Sequence, residues 1–355
     1  MAPQNKAAVY PSDKAPALVI QDAPYPTAGE GEVVIRVAAT AVNPVDHTIQ
    51  DRGTELFPFL TYPLTGGLDV AGTIVDSGSG SAFRPGDRVL AFTSDFVSRA
   101  GAFQNYAVAR TSTTSRIPDS LSFVDAVVVP SAVATAAVSL YQFLGLEPPS
   151  TASPKVEKKG ETVLVTAGAS SVGSSAIQLA VASGYDVITT SSPRNFAHCA
   201  ALGASRVIDY GAADLADQVK AAVRGSSGSR LAGAVSCVPG SNALAFDVVG
   251  ELASSESAKS VACTILPPPL RATVPEGVRA EMIHAYWIKD TPLAETIYRD
   301  FLPAALAAGA YKCVPRPRVV GRGLGAVQAA FDIGKTNTVS CEKLVVALEE
   351  AEEAS

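Results

Sequence analysis

The chain has 355 residues, too many for one ordinary hydrophobic core, so two domains are the default expectation. Hydrophobic residues make up 47% and charged residues 17%, a composition that excludes a disordered chain. Lys and Arg number 28 against 34 Asp and Glu, a formal net charge of −6 with no basic run, which excludes nucleic acid and anionic membrane as electrostatic partners.

Residues 1–10 carry no basic stretch followed by an apolar run, and no segment reads as apolar for long enough to cross a bilayer, so a cytoplasmic protein is expected. The five cysteines (Cys199, Cys237, Cys263, Cys313 and Cys341) are dispersed without a C-x-x-C pair, which suits reduced, mostly buried thiols. Roughly the first 120 residues alternate apolar and polar positions between turn residues, as β-rich chains do. Strands are expected at Gly31–Ala39 and Gly67–Val75, and a Pro-Gly-Asp turn feeds a strand within Arg84–Phe92. The apolar stretch Ala126–Ala137, broken by Pro130, Ser131 and Thr135, reads as a core element, and Pro130–Leu144 as a helix. Glu147–Lys159, rich in Pro, Ser and Lys, reads as a surface loop.

From Glu161 the style changes. Glu161–Ala167 is an apolar strand, Val172–Ser183 has helical apolar spacing, and Asp186–Thr190 is the next strand. A helix over Asn195–Leu202 is stopped by Gly203, and Arg206–Asp209, Leu231–Val238 and Ser260–Leu266 continue the series. Strands alternating with helices of this length predict βαβ units around a parallel sheet. After Phe301 strand-like pieces return at Cys313–Val320 and Lys343–Ala347, so the tail is expected to rejoin the first domain.

The run Thr166-Ala167-Gly168-Ala169-Ser170-Ser171-Val172-Gly173 follows an apolar strand and opens an amphipathic helix. Gly168 and Gly173 hold the first and third glycine places of G-x-G-x-x-G, and Ser170 replaces the middle one. Dinucleotide binding needs backbone N–H groups close to a pyrophosphate at a positive helix end, and a small Ser permits that approach while adding a hydroxyl donor. Enzymes that use NAD place a carboxylate at the end of the second strand. Here that strand runs into Ser191-Ser192-Pro193-Arg194-Asn195, with no carboxylate. Ser192, Arg194 and Asn195, with Tyr210 after the third strand, suit a 2′-phosphate instead, so the expected cofactor is NADPH.

Together with Ala41-Val42-Asn43-Pro44-Val45-Asp46, Gly67-Leu68-Asp69-Val70-Ala71-Gly72 and Pro85-Gly86-Asp87-Arg88-Val89, this fingerprint resembles the medium-chain dehydrogenase/reductase superfamily over nearly the whole chain. The resemblance is to its zinc-free quinone-reductase branch and to the trans-acting enoyl reductases of fungal polyketide pathways in secondary metabolism. It implies an α/β chain with a GroES-like β-barrel domain (residues 1–125 and 300–355) and a doubly wound Rossmann domain (residues 126–299). Zinc alcohol dehydrogenases of this superfamily put Cys near the place of Asn43 and Gly-His-Glu at the place of Gly67-Leu68-Asp69. Neither ligand set is present, and no Cys precedes Cys199, so no metal is expected.

In this branch the Asn of the Asn-Pro-x-Asp motif lies near the nicotinamide, and the Thr of a Thr-Ala-x-x-x-Leu helix contacts the cofactor region. Asn43 and Thr135 take those roles by resemblance. Gly168 to Gly173, including Ala169, Ser170, Ser171 and Val172, with Ser192, Arg194, Asn195, Tyr210, Cys237, Leu266, Ser340 and Lys343, make up the expected cofactor set. Cys237 and Leu266 match segments that pass backbone along the nicotinamide, and Ser340 and Lys343 match a segment that closes the cleft. Many relatives carry Lys two residues after the motif Asp, where this chain has Thr48. The implied function is NADPH-dependent reduction of an activated C=C, enoyl or enone, on a small or carrier-bound substrate, with a polyketide synthase as the implied partner. Quinone reduction, and a non-redox cofactor-binding or cyclase role on the same scaffold, stand as alternatives, and either a monomer or a homodimer is compatible with the sequence.

Overall fold

The computed structural model describes residues 3–93, 95–150, 156–226, 230–253, 255, 258–289, 291–336 and 338–348. Their contacts divide the chain into a first unit, residues 1–131 and 298–355, and a second unit, residues 132–297. The breaks fall at 131/132 and 297/298, against 125/126 and 299/300 in the domain ranges drawn from the resemblance.

The first unit is organised by one strand, Glu32–Ala41, whose Val33, Val34, Ile35 and Val37 are buried on both faces. β-branched residues suit such a doubly covered strand. Register shifts at Val34/Ile35 and Val37/Ala39 break its pairing with Asp69–Ser77. Its opposite edge is shared: the first half pairs with Tyr106–Arg110, and Ala39–Ala41 pair with Glu342–Ala347. The sheet runs Arg316–Arg322, Glu342–Ala347, Glu32–Ala41, Asp69–Ser77, Arg88–Phe92, Thr114–Arg116, with Tyr106–Arg110 joined from the side. A separate three-stranded sheet joins Val19–Ala23, Asn5–Tyr10 and Leu64–Thr65. Tyr10, Phe103 and Phe331 pack in one apolar cluster with Ile49 and Val327.

The first unit is less uniformly β than expected. The Asn-Pro-x-Asp motif opens a helix, Pro44–Leu56, with Asn43 as its N-cap and Pro44 at the first helical position, where a missing N–H costs nothing. The tail adds the helices Leu302–Ala307 and Ala326–Lys335.

The second unit is a six-stranded, wholly parallel sheet. Its order is Arg206–Asp209, Asp186–Ser191, Thr162–Val165, Leu231–Ser236, Ser260–Cys263, Arg279–Met282. In sequence order this reads 3-2-1-4-5-6, the doubly wound dinucleotide-binding arrangement. Leu164, Ile188, Leu231 and Val261 pack with Val219, Val223, Phe246 and Val249 of the covering helices. The direction reverses between Thr162–Val165 and Leu231–Ser236, and ligands bind such sheets in the crevice beyond the carboxyl ends of those two strands.

One expectation is corrected. The helical segment Phe123–Phe143 is long and apolar enough to cross a membrane by length and composition, although 78% of its most apolar window is buried inside the fold. It is made of two helices, Phe123–Ala126 and Pro130–Ala137, with a turn at 127–129, and neither Ser131 nor Thr135 interrupts the second. Pro130 starts a helical stretch, where its ring is tolerated, and Ser139 Oγ donates back to the Thr135 carbonyl at 2.7 Å. The expected surface loop over residues 147–159 falls partly outside the described residues.

Candidate active site

In the second unit the strand Thr162–Val165 ends in a turn whose parts are all accounted for. Ala167 has φ +52°, a left-handed conformation that a residue with a Cβ rarely adopts and that marks a loop held by its surroundings. Its N–H is bound by Thr190 Oγ1 at 3.1 Å, and the Gly168 N–H by the Thr190 carbonyl at 2.9 Å. A Cβ on Gly168 would lie 2.3 Å from Thr189 Oγ1, and one on Gly173 would lie 2.4 Å from the Ala167 carbonyl oxygen. Both glycines are therefore required by close approach of the chain to itself.

Ser170 is the N-cap of the helix Ser171–Ala182. Its hydroxyl accepts from the Gly173 N–H at 3.1 Å and donates to the Ala167 carbonyl at 2.8 Å. The hydroxyl is thus committed to the loop, a correction to its expected role as an additional donor to the phosphate. The N–H groups of Ser171 and Val172, in the first helical turn, have no acceptor within the helix, and both residues are half-buried. They lie at the positive end of the helix dipole, which suits an anion. Ala169 is buried beside them.

The neighbouring strand ends at Ser191 and enters a 3₁₀ turn, Pro193–Asn195, capped by Ser192. Asn195 Nδ2 donates to Ser192 Oγ at 3.1 Å, so these two form one polar corner. Arg194 is exposed and forms no ion pair with the described residues. Tyr210 is 59% exposed, and its N–H donates to the Ser191 carbonyl at 3.2 Å, which ties the third strand's loop to the same corner. The fold thus gathers Ser192, Arg194, Asn195 and Tyr210 at the carboxyl ends of adjacent strands.

Across the reversal point, Cys237 is buried, and burial pushes its thiol up to about 12, so it is no nucleophile. Its N–H donates to Thr166 Oγ1 at 3.2 Å. Thr166, Ser236 and Ser241 form a hydroxyl cluster there, with Thr166 Oγ1 and Ser236 Oγ 2.6 and 2.9 Å from Ser241 Oγ. Sequence reading missed this cluster, whose only signal is a polar residue at the end of each apolar strand. Leu266 is buried in the apolar core of this unit. Thr135 is half-buried, and the stack of His284 on Tyr286 (ring centroids 5.1 Å apart) with Trp287 edge-on to His284 lies beyond the sixth strand.

In the first unit Asn43 sits in a second polar cluster. Asp69, the first residue of its strand, is wholly buried. Its Oδ2 accepts from Asn43 Nδ2 at 2.8 Å and from Ser131 Oγ at 2.9 Å, and lies 3.1 Å from Lys343 Nζ. Its Oδ1 accepts from the Ser131 N–H at 2.6 Å. Lys343, 4% exposed, also donates to Asn43 Oδ1. Asp46, below Asn43, accepts the Asn43 N–H at 2.7 Å, and burial pushes its carboxyl up to about 7. In the sequence Asp69 stands out only as part of the Gly67–Gly72 motif and as the place where zinc relatives carry Glu. Thr48 Oγ1 bonds back to the Pro44 carbonyl at 2.8 Å. Ser340 is half-buried just before this strand. Among the described residues no three His, Cys, Asp or Glu side chains form a group that could hold a metal ion.

The model of the alcohol dehydrogenase GroES-like domain matches residues 29–119. The dehydrogenase azaJ of Aspergillus niger is 43% identical over 353 residues, covering 98% of this chain and 99% of that one. The chain belongs to the medium-chain dehydrogenase/reductase superfamily, with the fungal dehydrogenases and trans-enoyl reductases. Within that family the trans-enoyl reductase himH of Aspergillus japonicus is 36% identical over 358 residues, covering 98% of each chain. The crystal structure of CurK enoyl reductase has the family fold at a TM-score of 0.74 and 19% identity, covering 98% of this chain and 100% of that one.

Proposed function

We propose that this chain is an NADPH-dependent, zinc-independent oxidoreductase that saturates the activated C=C of an enoyl or enone substrate, of polyketide type and either free or carried on a protein thiol. One observation carries the cofactor choice: an exposed Arg194 stands with Ser192, Asn195 and Tyr210 at the strand ends next to the phosphate loop, where an NAD enzyme needs a carboxylate. The loop fits a dinucleotide, since a Cβ at Gly168 or Gly173 would collide and the Ser171 and Val172 N–H groups lack acceptors in the helix.

On this reading Ser171 and Val172 hold the pyrophosphate through their N–H groups. Arg194 holds the 2′-phosphate through charge-assisted bonds worth roughly twice a neutral one. A bound NADPH would supply the hydride for the β-carbon, and solvent would supply the proton for the α-carbon. The protein's share is orientation and electrostatic support of the substrate oxygen that gains charge. Zinc independence is supported by Asp69, which stands where zinc relatives carry a glutamate and is spent on Lys343, Ser131 and Asn43. The relatives named trans-enoyl reductases support the C=C reading over alcohol oxidation. NADPH consumption against a panel of enoyl thioesters, enones, quinones and alcohols tests it. Turnover of enoyl thioesters with NADPH and not with NADH is expected, and turnover of alcohols alone would refute it.

A further inference from the structure

Beyond the carboxyl ends of Thr162–Val165, Leu231–Ser236 and Ser260–Cys263, three neighbouring strands of the second unit, four polar side chains meet. Thr166 and Ser236 are wholly buried, Asn242 is 1% exposed, and Ser241 is half-buried. Burying hydroxyls and an amide is costly unless each is satisfied, and here the hydrogens can be assigned one by one. Asn242 Nδ2 donates to the Ile265 carbonyl at 2.9 Å, which fixes the other end of the amide as oxygen. Ser236 Oγ therefore donates to Asn242 Oδ1 at 2.5 Å, and its one hydrogen is spent. The 2.9 Å contact between Ser236 and Ser241 then needs Ser241 as donor, and Ser241 shares that hydrogen with the Val238 carbonyl at 2.8 Å. The 2.6 Å contact between Ser241 and Thr166 in turn needs Thr166 as donor. Thr166 Oγ1 accepts from the Cys237 N–H at 3.2 Å. The result is one directed chain, from the Cys237 N–H through Thr166, Ser241, Ser236 and Asn242 to the Ile265 carbonyl, in which each bond polarises the next.

This chain joins two segments that leave the sheet beyond the reversal point. One is the turn 238–241, with Val238 38% exposed, and the other follows Ser260–Cys263, with Ile265 42% exposed. The Ser241 N–H closes the turn on itself, donating to the Val238 carbonyl at 3.1 Å, and the Ser241 hydroxyl moors the turn to Thr166 at the end of the first strand. A dinucleotide lies across such a sheet at the reversal point, with one ribose against the end of the second strand. On the reading given under Proposed function, on which this inference rests, that ribose and its phosphate belong to Arg194 and Ser192, and the pyrophosphate to Ser171 and Val172. The other half of the dinucleotide then extends past Thr166 toward the turn 238–241. We infer that Ser241 is a positioning residue: its hydroxyl holds this turn in the place that the nicotinamide half of the dinucleotide requires, while the adenosine half binds without it. A turn held in place beforehand need not be ordered when the ligand arrives, which raises affinity.

The full chain and its variants Ser241→Ala, Ser241→Thr and Ser236→Ala would be compared by thermal melting and by calorimetric titration with two probes. One is NADPH. The other is adenosine 2′,5′-bisphosphate, which carries the 2′-phosphate and lacks the nicotinamide half. Ser241→Ala is expected to melt close to the parent, to lose about tenfold in NADPH affinity and to lose less than about twofold for the bisphosphate. Ser241→Thr keeps a hydroxyl and is expected to restore most of the NADPH affinity. Ser236→Ala cuts the chain one link further on and is expected to move the two affinities apart in the same direction. If Ser241→Ala melts below the titration temperature, the contrast between the probes is read from Ser236→Ala. A loss shared equally by the two probes, or an NADPH affinity undiminished in the alanine variants, overturns this inference and leaves the functional reading standing. A parent protein that binds neither probe overturns the functional reading, and this inference with it.

Discussion

Asp46 Oδ2 accepts the Asn43 N–H at 2.7 Å from a position only 1% exposed. Its backbone carbonyl also accepts the Tyr10 phenol at 2.9 Å, so the turn below Asn43 is held from both sides. Burial lifts the Asp46 carboxyl from its ordinary 3.8 to about 7, with the nearby Asp69 charge adding to the rise. The folded chain then holds a proton that the unfolded chain has lost between those two values. Stability therefore falls as pH rises through that window. Asp46→Asn has no such proton. Its unfolding free energy is expected to gain on the parent's between pH 5 and pH 8, by on the order of 2 kcal/mol. Calorimetry across that range checks this, and a gap that ignores pH would show the carboxyl to be charged throughout.

The Gly173 site gives a sharper contrast. A Cβ there would lie 2.4 Å from the Ala167 oxygen and 2.8 Å from Gly168 Cα, both backbone atoms that cannot step aside. Gly173→Ala should cost about 1–3 kcal/mol and weaken NADPH binding by an order of magnitude or more. Gly240, in the turn on the other side of the reversal point, has nothing within 4 Å of its Cβ position. Gly240→Ala should therefore leave the fold unaffected. Equal behaviour of the two variants in a thermal melt would contradict the loop geometry.

Cofactor choice turns on Arg194. Arg194→Ala is expected to raise KM for NADPH roughly tenfold or more and leave KM for NADH as it was, since the loss is confined to the 2′-phosphate. Ser192→Asp should act in the same direction by placing a carboxylate at the ribose. Steady-state kinetics with both nucleotides decide it. An unchanged NADPH constant in Arg194→Ala would send the search to another cation.

Metal removal supplies the fourth test. Dialysis against a strong chelator is expected to leave NADPH-dependent reduction intact, and added zinc to give no stimulation. Loss of activity on chelation with recovery on zinc would show that a ligand set forms in the working enzyme.

Most of the second unit was legible, although its sixth strand, Arg279–Met282, was not. Arg206–Asp209 was legible to the residue because Gly203 stops the helix before it and Gly211 follows it, although only Val207 and Ile208 within it are apolar. The phosphate loop was visible for the same local reason, although the cap made by the Ser170 hydroxyl was not. The first unit was read less well. Pro44–Leu56 was missed as a helix because its few apolar positions give little periodicity. Pro130–Leu144 was legible as a helix, and the structure has Pro130–Ala137 running on into Val138–Phe143; the short helix Phe123–Ala126 before it was not legible. The partnership of Asp69 with Lys343 was out of reach, since nothing local in either segment refers to the other.

The sheet of the first unit joins segments far apart in the chain: Glu32–Ala41 cannot acquire its neighbour Glu342–Ala347 until everything between them has been made. On a translating ribosome the second unit, residues 132–297, is complete while Asp69 still lacks its cation. Lys343 emerges only after that unit, and its arrival neutralises Asp69 and fixes the Asn43 amide. A chain stalled short of that strand should hold a complete second unit while the buried Asp69 carboxylate waits for its cation.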